Sequence, residues 1–203
     1  MGRRIAVLVS GRGSNLQAVI DAIRSGQLDA AIAVVVSNRP DAAGLVRARE
    51  AGIEGVYLSP RDYGDRDEYD RAMAALLRAR DVDLVCLAGF MRLAGRPLLD
   101  AFPDRILNIH PSLLPAFPGL DAQRQALEHG VRISGATVHF VTAELDGGPI
   151  VLQVAVPVLE GDTVETLTDR ILAQEHQLYP EAIRVVLEGG WTIVGRRFVR
   201  RRG

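Results

Sequence analysis

The feature that most limits what this chain can become is an alternation of short aliphatic runs with longer amphipathic ones. Ile5-Ala-Val-Leu-Val9 contains no polar residue, as a strand covered on both faces of a parallel sheet requires. Ile32 to Val36 and Leu84 to Ala88 repeat that signature, Gly55 to Leu58 is a weaker version, and Ile106 to His110 is stopped by Pro111. Between them run helical patterns. Leu16, Val19, Ile20 and Ile23 follow Asn15, Ala42 to Ala51 is closed by Gly52, and Asp65 to Arg80 places Tyr69, Met73, Leu76 and Leu77 on one face. A short helix is predicted over 97–101, a second over 120–129, and strands over 131–140 and 150–156. One long helical pattern covers 163–188, contains Pro180 and ends at Gly189-Gly190, and a small hairpin follows from Trp191. Strands alternating with helices predict an α/β fold with a doubly wound, mostly parallel sheet. The expected organisation is a single domain over 1–190 with 191–203 as a hairpin and basic tail.

Composition narrows the function. The 203 residues are 48% hydrophobic and 24% charged, and a chain of this length buries roughly 70% of its unfolded surface in one core. Basic and acidic side chains nearly cancel, for a net charge of −1, so an electrostatic nucleic-acid binder is a poor fit. The Arg-rich end, 196–203, reads as a strand end and solvated tail. No apolar run approaches the roughly 18–20 residues of a membrane span, and no cleavable signal precedes the first strand, so a cytoplasmic protein is expected. Cys86 is the single cysteine and there is no lysine. That excludes an internal disulfide, a thiolate metal cluster, a P-loop lysine and a Schiff-base lysine. No histidine pair has metal-ligand spacing, and no metal is expected.

The first strand runs through Ser10-Gly11-Arg12-Gly13-Ser14-Asn15-Leu16 into a helix. Such a turn presents backbone N–H groups at the positive end of the helix dipole, which suits an anion. Leu16 stands where a dinucleotide fingerprint needs a third glycine, and no carboxylate closes the second strand at Ser37-Asn38-Arg39. A single phosphate held by Gly13, Ser14 and Asn15 therefore fits better, with Ser14 or Asn15 capping the helix; a plain tight turn is the alternative.

The richest stretch is Asn108-Ile109-His110-Pro111-Ser112-Leu113-Leu114-Pro115. Residues two apart share a strand face, so Asn108 and His110 project together. An amide beside an imidazole offers a donor for a developing oxyanion and a group that exchanges protons near neutrality. A satisfied strand end is the competing explanation. Ligands in open α/β sheets sit beyond the carboxyl ends of the strands, where the glycine loop, Gly89 to Ala94 and His110 all fall. Asp146, in the turn Asp146-Gly147-Gly148-Pro149, is expected either to reach His110 and raise its pKa or only to cap its turn. His129, His139 and His176 read as a helix end, a strand residue and a helix residue.

Four motifs together resemble the folate-dependent phosphoribosylglycinamide formyltransferase family. They are Ser10-Gly-x-Gly-Ser-Asn-Leu16, Leu87-Ala-Gly-Phe-Met-Arg92, Asn108 to Pro115, and Gly135-Ala-Thr-Val-His-Phe140 through Asp146-Gly-Gly-Pro149. The resemblance runs from about residue 4 to about residue 187. It implies a Rossmann-like formyltransferase fold and transfer of a formyl group from 10-formyltetrahydrofolate to the amine of N1-(5-phospho-D-ribosyl)glycinamide, in purine synthesis. It also implies site roles. Asn108 stabilises the oxyanion, His110 is the proton donor, and Asp146 raises the pKa of His110 and orders a water. Gly13, Ser14, Asn15 and Glu175 bind the ribonucleotide, while Arg66, Met91, Arg92, Leu93, Ala94 and Asn108 bind the folate. Ala94 replaces a larger aliphatic common in the family, Asp121 and Gln123 stand where histidine is often found, and Arg12 adds a cation beside the glycines. The implied partners are small molecules, without nucleic acid, membrane or metal, and the assembly a monomer or homodimer. The alternatives are a formyltetrahydrofolate hydrolase or a tRNA formyltransferase, both expected to carry a further domain, and a non-catalytic phosphosugar-binding domain. The last would have no use for converging Asn108, His110 and Asp146.

Overall fold

Aliphatic strands lie where the sequence pattern places them. The computed structural model describes residues 2–201, and the chain divides after Asn108 into two compact units; the division falls inside a strand. The first unit carries β1 (Arg3–Val9), α1 (Ser14–Arg24), β2 (Ala30–Ser37), α2 (Ala43–Glu50), β3 (Gly55–Tyr57), α3 (Arg66–Arg78), β4 (Leu84–Leu87), α4 (Arg96–Ala101) and the start of β5 (Ile106–His110). Ile5 to Val9 are wholly buried, which is why that run needs no polar residue. Every strand pair here is parallel. β1 pairs with β2 on one side and β4 on the other, β2 pairs with β3, and β4 with β5. The order β3-β2-β1-β4-β5 therefore reverses between β1 and β4. A reversal of that kind opens a crevice at the carboxyl ends of the two strands.

The second unit holds α5 (Ala122–Glu128), β6 (Ile133–Phe140), β7 (Ile150–Pro157), α6 (Val164–Glu188), β8 (Trp191–Val194) and β9 (Arg197–Arg200). β6 and β7 are antiparallel, β9 lies parallel to β7, and β8 pairs antiparallel with β9. Ala126, Ala136, Val156, Leu167 and Ile171 form one core between its helices and strands. The hairpin predicted at the end of the chain is seated by Phe140, Trp191 and Phe198, whose ring centroids lie 5.2 to 6.0 Å apart. Arg202 and Gly203 of the expected tail lie outside the described residues. Thr163 opens α6 with a capping box to Thr166, and Pro180 sits within a single 25-residue helix. The α/β class and the mostly parallel sheet agree with expectation.

The cap of α1 does not. Neither Ser14 nor Asn15 caps that helix: both lie inside its first turn, and Gly13 occupies the cap position with φ 68° and no side-chain bond. The reason is a close approach. Gly44 N–H donates to Gly11 O, and a Cβ on Gly13 would stand 2.7 Å from the Gly44 Cα. Only glycine fits there, because the left-handed backbone and the contact both exclude a side chain. Gly13→Ala is expected to cost about 1–3 kcal/mol in urea unfolding, the size of one strained position. A loss below a few tenths would mean the loop relaxes freely.

Candidate active site

In the first unit, the loops after β1 and β4 are tied to each other. Ser10 N–H donates to Gly89 O at 3.1 Å, and Ser10 Oγ accepts from Met91 N–H at 2.8 Å while donating to Asn38 Oδ1 at 2.6 Å. The glycine loop is held from α2 as well, because Arg47 Nε donates to Arg12 O at 2.9 Å. Gly13 and Asn15 are buried and Ser14 is half-buried. Their amides occupy the first turn of α1, at its positive end. Beyond β4, Met91 and Leu93 are 66% and 57% exposed, whereas Arg92 turns inward over the Tyr69 ring. Ala94 completes the segment, and Arg66 begins α3 next to it: a Cβ built on Gly95 would lie 3.1 Å from Arg66 Nε. Asn108 is half-buried on β5, two residues before His110.

The second unit assembles the ionisable groups. His110 is buried, and its Nδ1 stands 3.5 Å from Asp146 Oδ2. His139 is buried too, and its Nε2 stands 3.6 Å from the other carboxylate oxygen. These separations are charge contacts, longer than well-formed hydrogen bonds. The full-strength bond to the carboxylate comes from Gly119 N–H, at 2.8 Å to Oδ2. Asp146 adopts φ 48° in its turn. Gly148 after it leaves no space for a side chain, since a Cβ would fall on the Phe140 carbonyl. Asp146 therefore both occupies its turn and reaches His110. Glu175 lies buried in the middle of α6. Among the described residues, no group of His, Cys, Asp or Glu has the arrangement of a metal site.

His139 is the residue that sequence reasoning passes over. It is the penultimate residue of β6, next to Phe140, and its Nδ1 lies 2.9 Å from the Phe140 carbonyl, leaving Nε2 toward Asp146. The available signal is its place immediately before the segment that carries Asp146.

The pKa of His110 moves opposite to expectation. Burial pushes the imidazole below its ordinary value, outweighing the Phe117 carbonyl bonded at Nε2 (2.8 Å) and the Asp146 charge, while His139 adds to the lowering. Both Asp146 and Phe117 offer acceptors, but a cation taken from water loses more than they return. For Asp146, burial raises the carboxyl, and His139, the Gly119 amide and His110 overcome it to hold the group below its usual range.

The profile of the formyl transferase family matches residues 3–183. The chain belongs to the formyl transferase family. It is 47% identical over 185 residues to the phosphoribosylglycinamide formyltransferase of Escherichia coli (strain K12), covering 91% of this chain and 87% of that one. The solved glycinamide ribonucleotide transformylase 1 of Symbiobacterium toebii is 61% identical with a TM-score of 0.97, over 98% of this chain and 94% of the other. A further relative is the human trifunctional purine biosynthetic protein adenosine-3, 48% identical over 186 residues. The chain spans 18% of that protein's length.

Two measurements test the electrostatics. In an NMR titration the His110 ring should protonate below about pH 6.5, the ordinary histidine value. Asp146→Asn should move it lower still, because the substitution removes a raising charge. An upward move would overturn the account. Stability has a matching sign. The unfolded chain binds the His110 proton at higher pH than the folded one, so stability is fully present above about pH 6.5 and falls as pH drops through it. The Asp146 contribution is lost further down, as pH falls from the ordinary carboxyl value through its depressed folded value. Thermal melts across pH 8 to 4 should show this fall, and flatness between 7 and 5 would contradict it.

Proposed function

We propose that this chain transfers a formyl group from 10-formyltetrahydrofolate to the amine of N1-(5-phospho-D-ribosyl)glycinamide, a step of purine synthesis. The observation that carries the reading is the buried His110–Asp146 pair, 3.5 Å apart, in a chain nearly half identical to a phosphoribosylglycinamide formyltransferase along most of its length. The start of α1, with the cap residue Gly13 followed by Ser14 and Asn15, would hold the substrate phosphate through backbone donors. Glu175 would hold the ribose. Arg66, Met91, Arg92, Leu93 and Ala94, with Asn108, would hold the folate.

The chemistry asks little beyond proton traffic and charge stabilisation. The glycinamide amine attacks the formyl carbon, and the carbonyl electrons move onto oxygen. The Asn108 amide donates to that oxyanion, together with His110 in its protonated form. A proton leaves the attacking nitrogen and another reaches the folate nitrogen as the C–N bond breaks, with His110 as the acid and base. Burial makes the His110 cation costly before charge develops, and an adjacent oxyanion would repay that cost at the transition state. Asp146 holds the ring and balances its charge. Holding both substrates together supplies the proximity of a direct transfer, without a covalent enzyme intermediate or a metal.

The same reading assigns 1–190 to the formyltransferase domain and 191–203 to an accessory hairpin and tail. It places the protein in the cytoplasm, acting on small molecules rather than nucleic acid or membrane, as a monomer or homodimer. No helix among the described residues is long and apolar enough to cross a membrane.

Absorbance change on mixing the protein with the ribonucleotide and 10-formyl-5,8-dideazafolate tests the activity. Deformylation that proceeds equally without the ribonucleotide would point instead to hydrolysis. His110→Ala should lower kcat by about 10²–10⁴-fold with an unchanged circular dichroism spectrum. Near-normal turnover in that variant would remove His110 from the chemistry.

A further inference from the structure

Arg66 and the 91–95 segment are separated in sequence but converge in the first unit on a buried carboxylate for which the proposed reaction has no use. Asp70, on α3, is 3% exposed, and its Oδ2 accepts the Gly95 N–H at 2.5 Å. Burial pushes its carboxyl above the ordinary value; the Gly95 amide and the charges of Arg66 and Arg92 draw it back without cancelling that push, and Asp67 adds to the rise. A Cβ on Gly95 would sit 2.5 Å from Asp70 Oδ2, so the glycine is required for the bond to form. One residue earlier, Tyr69 is wholly buried and supports Arg92, whose guanidinium lies 4.6 Å from its ring centroid. Tyr63 packs edge-on against the same ring at 5.6 Å. The Tyr69 hydroxyl has no hydrogen-bond partner among the described residues, so the ring face is the part of this side chain in use.

Residues 88–95 form neither helix nor strand. An irregular segment has no ladder of its own to fix it, and a ligand that must order it loses affinity for doing so. Here the segment is pinned at three points: Met91 N–H on Ser10 Oγ, Arg92 on the Tyr69 ring, and Gly95 N–H on Asp70. Between the pins, Met91 and Leu93 stand out toward solvent.

We infer that Asp70 and Tyr69 are positioning residues for the folate cosubstrate: they act through Arg66, Arg92 and Gly95 and touch neither substrate themselves. The inference rests on the folate assignment made under the proposed function. The arrangement is a preorganised support beneath a binding segment, so its loss should appear in folate affinity rather than in turnover.

The test compares steady-state constants for Asp70→Ala, Gly95→Ala, Tyr69→Phe and Tyr69→Ala. The KM for 10-formyl-5,8-dideazafolate should rise by about 10-fold or more in Asp70→Ala and Gly95→Ala, as expected for losing a charge-assisted hydrogen bond. The KM for the ribonucleotide and kcat should stay within roughly threefold. Tyr69→Phe should match the parent protein, because only a partnerless hydroxyl is removed, whereas Tyr69→Ala should behave like Asp70→Ala. Asp70→Asn, which keeps an acceptor oxygen for Gly95, should recover part of the folate affinity. If Asp70→Ala does not fold, the Tyr69 pair and Gly95→Ala decide the matter. An unchanged folate KM in those variants, or an equal rise for both substrates, overturns the inference. A parent protein that neither binds the folate analogue nor transfers its formyl group overturns the proposed function itself, which is a different result.

Discussion

A carboxylate withdrawn from water keeps its charge only if donors surround it, and the second unit is arranged around that requirement at Asp146. The side chain is 10% exposed. An amide N–H meets one oxygen at hydrogen-bond length, and an imidazole stands off each oxygen slightly farther out. Remove the Gly119 amide or either ring and a buried negative charge is left short of partners, a loss worth several kcal/mol in typical cases. The positions of 119, 139 and 146 are therefore linked: the turn after β6 and the loop before α5 meet at the carboxylate.

The first unit solves a different problem, that of holding loops rather than charges. Its parallel strands end together, and the loops leaving β1 and β4 have no regular structure to fix them. Ser10 does much of this holding, using its amide and its hydroxyl to tie Gly89, Met91 and Asn38 into one group. The same economy explains Gly13 and Gly44. Their backbones approach so closely that α2 braces the loop leading into α1. Removing the side chains from two positions is what makes the loop rigid.

Much of this is legible in the sequence because burial writes itself into aliphatic runs. Ile106 to His110 is bounded correctly at both ends, since Pro111 cannot continue a ladder, and the hairpin after Gly190 is announced by its apolar residues. The 3-10 turn at Pro60–Asp62 is not visible, because one short turn has no periodicity. Residue type alone misplaces the cap of α1, because Ser14 and Asn15 are good capping residues. The contact that puts Gly13 there instead comes from α2, some thirty residues away. The sequence offers the Asp146–His110 contact only as one of two options, because 36 residues of spacing carry no distance. The direction of the His110 shift is hidden for a related reason. A sequence shows which charges exist, whereas desolvation belongs to the folded surroundings, and here it outweighs the charges. His139 escapes notice because a histidine inside a strand pattern resembles any other buried residue.

The two nitrogens of the His110 ring carry one more implication. Nδ1 looks toward a carboxylate and Nε2 toward the Phe117 carbonyl, so both meet oxygens that can only receive a proton. A neutral imidazole owns a single N–H and satisfies one of them; the other lone pair is left facing an oxygen. If the proton sits at Nδ1 for Asp146, the Phe117 oxygen is a poor neighbour held in place by its loop. If it sits at Nε2, any incoming group that wants this hydrogen must first evict a backbone carbonyl. Either way, the neutral ring leaves one of these two oxygens without a hydrogen, and only the imidazolium, with an N–H at each nitrogen, satisfies both at once.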